Sequence, residues 1–235
     1  MHDPSSGNPF PADVQPAPAG APDPCLLVAR ALALLWTYRT RTVLVRFLSL
    51  LEWRQGNARA YTQELVKEAL ADLRRRGWIA EMPRREGFFR LHDSVRAKLY
   101  REALEEATAA TIRDALVRVD AHGSFGAVPD WPMYDMAGAI ARVRLEIYSG
   151  MAAAEIERIR RRLAYGLDWS EILWSATIPA FDAELFARVT PELRWDLAYL
   201  AAEHVNHTWS IDALPMCEWA IARLASEAAH MPVHL

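Results

Sequence analysis

Residues 69–104 read ALADLRRRGWIAEMPRREGFFRLHDSVRAKLYREAL. Upstream of this stretch and into it, Leu65, Ala69 and Leu73 recur at helical spacing, Thr62 can cap the first turn and Gly77 can end the last. WIAEM (78–82) and FFRL (88–91) then change the pattern to short runs rich in aromatic and aliphatic residues, which predict strands. PRREG (83–87) between them, punctuated by Pro83 and Gly87, predicts a charged turn. From Asp93, read as a cap, one long helix is predicted through SVRAKLYREALEEATAATIRDALVRV, with Val95, Leu99, Ala103 and Leu104 inward. His92 bridges strand and helix.

Working outward, CLLVARALALLW (25–36) and VLVRFLSLLEW (43–53) read as helices separated by the polar break TYRTRT, and RQGNARAY (54–61) as a turn. Three helices, a strand, a charged turn, a strand and a helix make the layout of a winged helix-turn-helix unit with a short two-stranded wing. Its expected span is 25–121.

The same stretch resembles the winged-helix subdomain of STAND-type (NB-ARC-like) signalling NTPases, over about residues 43–104. In that family a short helix and ribbon lead into an LHD or MHD triplet that opens the next helix, often ahead of helical repeats. Leu91, His92 and Asp93 match the triplet, and Val95-Arg96 matches the continuation that follows it. The resemblance implies the architecture, and for His92 it implies the position that approaches the β-phosphate of bound ADP. No phosphate-binding loop precedes it: GxxxxGK[ST] and GxGxxG are both missing, which excludes a self-contained P-loop or Rossmann enzyme.

The net charge of −3 conceals an uneven distribution. Residues 25–104 hold sixteen Arg/Lys against eight Asp/Glu, while 105–235 hold eleven against nineteen. A basic middle and an acidic C-terminal half point to two units with different neighbours. The leader, 1–24, is proline-rich and too polar to offset the entropy of ordering, so it is expected to be disordered. No signal peptide and no apolar run of membrane-spanning length is visible. Cys25 and Cys217 lie far apart, which fits a reducing compartment, so a cytoplasmic location is expected.

HGSFGAVPDWPMYD (122–135) reads as a linker, and 136–235 as an all-helical interaction domain. Five helices are predicted there. Met136, Ile140, Val143 and Ile147 form one stripe; Ile156, Ile159 and Leu163 form another, with Arg158 and Arg160–Arg162 mostly outward. Asp168 with Glu171 is a capping box, Thr190-Pro191 a helix start, and the last helix covers about 213–229. No 34-residue period emerges, so a bundle and a degenerate helical repeat are both open.

Candidate sites are few. Arg59, Lys67, Arg74 and Arg75 on or beside the helix before the wing, with Arg84 and Arg85 at its tip, could meet DNA phosphates. Glu64, Glu68 and Asp72 on the same helix would repel them, and bases that end a helix complement its dipole with no ligand at all. Trp131, between Asp130 and Pro132, is a candidate anchor for a protein. His204 and His207 are three apart beside Glu203, too few ligands for a structural zinc site. No nucleophile elbow or catalytic triad is recognisable, and neither an enzyme nor a cofactor is expected.

The function expected from these readings is a non-catalytic regulatory or adaptor module, alone or as the N-terminal part of a larger ATPase, helicase or defence-type protein. Its partner would be a protein or a further domain. The alternative is a winged-helix DNA-binding transcriptional regulator.

Overall fold

A computed structural model describes residues 23–54, 60–82, 85–120, 136–163, 166–208 and 211–228. The fold is mainly helical, with one small antiparallel sheet. The expected leader, apart from its last two residues, and the expected linker lie outside the described residues, as do Arg59, Arg84 and Trp131.

Helix α1 (Pro24–Leu35) starts on Asp23, whose carboxylate accepts from the Cys25 amide at 2.9 Å, and has proline in its first turn, where a missing amide hydrogen costs nothing. It is apolar nearly all round and lies in the centre, packed on four other helices. Strand β1 (Arg39–Thr40) leads into α2 (Arg41–Leu50), which Thr40 caps. Helix α3 (Gln63–Arg75) is capped by the Thr62 hydroxyl, which accepts from the Leu65 amide at 3.3 Å. After Arg76, Gly77 takes the left-handed conformation at φ +70°. Strands β2 (Ile79–Glu81) and β3 (Phe88–Leu91) follow, then α4 (Asp93–Glu106) and α5 (Ala109–Asp120).

Three sequence expectations need correction here. The ribbon expected as a two-stranded wing is part of a three-stranded sheet in the order β1-β3-β2, with Arg39 opposite Phe89 and Ile79 opposite Leu91. The extra strand is two residues of the break TYRTRT, too short for any alternation to register. The long helix after Asp93 is two helices. At the break Ala107 is extended (φ −132°, ψ 144°), and the Thr108 hydroxyl accepts from the Thr111 amide at 3.2 Å, starting α5. The N-cap of α4 is His92 rather than Asp93, and its side chain makes no capping bond.

The second half holds α6 (Met136–Tyr148), α7 (Ala153–Arg160), α8 (Trp169–Thr177), α9 (Ala183–Phe186), α10 (Pro191–Thr208), a 3₁₀ turn (Ile211–Ala213) and α11 (Leu214–Ala228). Helix α9 adds a sixth to the five expected; Asp182 caps it through the Glu184 and Leu185 amides, both at 3.0 Å. Helix α6 is buried on almost every side, including at Arg144 and Glu146, so the single stripe expected of it is too narrow. It packs on α1, α5 and α8, and one apolar core runs unbroken from Leu27 to Met216. Among the described residues no helix is long and apolar enough to cross a membrane.

Candidate functional site

The face built by α3 and the sheet is the one the sequence marks for a ligand. Lys67 is exposed on α3 and pairs with Glu64 one turn earlier, at 3.4 Å. Arg74 reaches across to Glu81 on β2, and Arg75 holds Asp72 at 2.8 Å. Arg76 holds Asp72 at 2.6 Å and Asp23, ahead of α1, at 3.1 Å. Burial pushes the Asp72 carboxyl up, but the Cys25 thiol and the Arg76 and Arg75 guanidiniums outweigh it and leave Asp72 below its usual range. Burial, with the same contact, drives the Cys25 thiol up to about 12. The bases of α3 are therefore held by acids of this chain. Arg85 stands exposed near the start of the β2–β3 turn.

The Leu91-His92-Asp93 triplet works as a structural joint. Leu91 is fully buried, and the His92 amide donates to the Trp78 carbonyl at 2.9 Å, tying the start of α4 to the residue just before β2. The His92 ring is exposed. Asp93 in the first turn suits the helix dipole, and its carboxylate lies 2.6 Å from Arg96 and 3.5 Å from Arg90. Arg96 is buried; it donates to the Trp36 carbonyl at 2.9 Å, and its guanidinium carbon lies 3.9 Å from the centre of the Trp36 ring. Burial lowers its pKa to about 9 despite Asp93.

That contact opens onto a constellation which sequence reasoning missed. Arg144, wholly buried on α6, sets its guanidinium carbon 3.2 Å from the Trp36 ring centre and 4.5 Å from those of Tyr100 and Tyr148. It donates to the Ala176 carbonyl at the end of α8, while the Trp36 indole donates to the neighbouring Ser175 carbonyl at 2.8 Å. Burial holds the Arg144 pKa below its ordinary value. Two residues on, Glu146 is equally buried and accepts from Arg113 at 2.6 and 2.5 Å and from Arg142 at 2.6 Å. The available signal was a cation and an anion inside AGAIARVRLEIY, which is otherwise apolar apart from Arg142. These charges join helices inside the core and present no open face to a substrate.

His204 stacks on Trp174, with ring centres 3.4 Å apart, and His207 is exposed on the last turn of α10. Among the described residues no group of three or more His, Cys, Asp or Glu side chains is placed to hold a metal ion. Comparison of the chain with known protein families, curated proteins and solved structures finds no match.

Proposed function

We propose that this chain is a non-catalytic regulatory or adaptor module of the cytoplasm, a winged-helix unit fused to a helical array that binds another protein. Support for the winged-helix part comes from the element order α1-β1-α2-α3-β2-β3 and the sheet order β1-β3-β2; on this reading α3 is the recognition helix and the β2–β3 turn is the wing. The resemblance of Leu91-His92-Asp93 to the STAND triplet points the same way.

The observation that favours a protein over DNA is the pairing of the α3 bases. A helix that reads DNA offers free cations to phosphates, and each neutralised phosphate steepens the salt dependence of binding. Here Glu64, Asp72 and Glu81 already hold Lys67, Arg74, Arg75 and Arg76. DNA contact would require breaking those pairs and bringing carboxylates toward the backbone. Exposed Arg85 is what favours the DNA-binding alternative.

Fluorescence anisotropy of a labelled mixed-sequence duplex decides between them. At about 50 mM salt the chain is expected to show no binding tighter than about 100 μM, the weak end of non-specific DNA affinity. Micromolar binding with a steep salt dependence, flattened by Arg84→Ala with Arg85→Ala, would overturn the adaptor reading.

A further inference from the structure

The large apolar side chains that stand exposed among the described residues all belong to the C-terminal hairpin: Tyr199 on α10, Ile211 on the 3₁₀ turn, and Leu214 and Ile221 on α11. They are surplus to the core. Leu193, Leu197 and Ala201 of α10 and Met216 and Ala220 of α11 already fill the inward faces. Leu214, Glu218 and Ile221 follow one another at four- and three-residue spacing, so they share one side of α11.

Acids accompany these side chains. Glu192, Asp196, Tyr199 and Glu203 recur on one face of α10, and all four are exposed. Glu192, Asp196, Glu203 and Glu218 form no ion pair among the described residues, unlike Glu64 and Asp72 of α3 and Glu81 of β2. Exposed apolar side chains interspersed with uncompensated carboxylates are complementary to a helix that is apolar on one side and cationic along its edges.

We propose that the outer face of the α10–α11 hairpin docks a basic amphipathic helix of a partner protein. A second copy of this chain fits less well: Arg30 on α1 pairs with Glu102 and Glu106, Lys67, Arg74 and Arg75 of α3 pair with Glu64, Glu81 and Asp72, and exposed Arg85 lies on a turn and not along an apolar helix face. The inference rests on the adaptor reading and gives the partner a chemical class.

The probe is a fluorescein-labelled synthetic helix of about five turns, with leucine at i, i+3, i+4 and i+7 and lysine elsewhere. Its controls are the same composition scrambled to abolish the face, and a version with glutamate for lysine. The full chain is expected to bind the amphipathic basic helix at least tenfold more tightly than either control. Leu214→Asp with Ile221→Asp, and separately Asp196→Lys with Glu203→Lys, are each expected to weaken it at least tenfold with the circular dichroism unchanged. No binding, equal binding of the scrambled peptide, or undiminished binding by both folded double variants would overturn the proposal. Sedimentation equilibrium showing self-association that Ile221→Asp abolishes would assign the face to a second copy and overturn it too. Peptide failure without duplex binding removes this inference alone, whereas duplex binding removes the adaptor reading beneath it.

Discussion

Arg144 is the residue on which the interior turns. Its guanidinium is planar and weakly hydrated, so it can lie against rings and lose less hydration than an ammonium would. Trp36, Tyr100 and Tyr148 supply those rings, and the Ala176 carbonyl takes one of its hydrogens. A lysine keeps the charge but loses the stacking and carries a compact, strongly hydrated ammonium into the same site. Removing charged groups from water costs several kcal/mol, so the difference is large. Arg144→Lys is expected to destabilise the chain by about 2–4 kcal/mol in urea unfolding, although it is conservative by charge. A loss below about 0.5 kcal/mol, the size expected of a surface change, would show that the rings do not select arginine. This site was only half legible beforehand. The charges of α6 are plain in the sequence, but the rings that receive Arg144 come from positions 36, 100 and 148, which only the tertiary fold brings together.

At the scale of elements, what the sequence spells out locally is what the structure bears out. Thr62 and Gly77 bound α3, Asp168 starts α8 by accepting from the Glu171 amide at 3.0 Å, and Pro191 opens α10. Each signal acts within one helical turn, so one sequence suffices to read it. The misses have other causes. Strand β1 exists only because β3 pairs with it, and α9 is a single turn held by Asp182. The break between α4 and α5 was written locally, as Thr108 three residues before Thr111, but glutamates before it and alanines on both sides favour helix. The cap makes the break testable. Thr108→Ala removes the acceptor for the Thr111 amide and is expected to cost about 1 kcal/mol, while Thr108→Ser retains the hydroxyl and costs far less. If alanine proves neutral or stabilising in thermal unfolding, then continuous helical propensity outweighs the cap at this site.

On the scale of the whole molecule, the half that carries α1–α5 and the half that carries α6–α11 are neighbours in one body. Arg101 on α4 pairs with Asp182 and Glu184, Arg113 on α5 pairs with Glu146 on α6, and Arg188 approaches Glu105 at 3.9 Å. The exposed pairs among these contribute little singly, so they do not by themselves bind the halves together. The apolar contact does. Trp36, at the end of α1, is almost wholly inaccessible, touches the rings of Tyr100 and the guanidinium of Arg144, and donates to Ser175 across 139 residues. Separating the halves would expose this indole, the apolar sides of α1 and α5, and the buried charges of α6 to water in one step. Unfolding is therefore expected to be a single transition, with tryptophan fluorescence and far-UV circular dichroism giving coincident urea midpoints. Trp36→Ala should destabilise the chain by about 3–5 kcal/mol and lower both midpoints together, because the cavity it leaves lies between the halves and not inside either. Two resolved transitions, or a Trp36→Ala variant that shifts only one of them, would mean that the halves fold independently. In that case the shared core contributes orientation but no cooperativity.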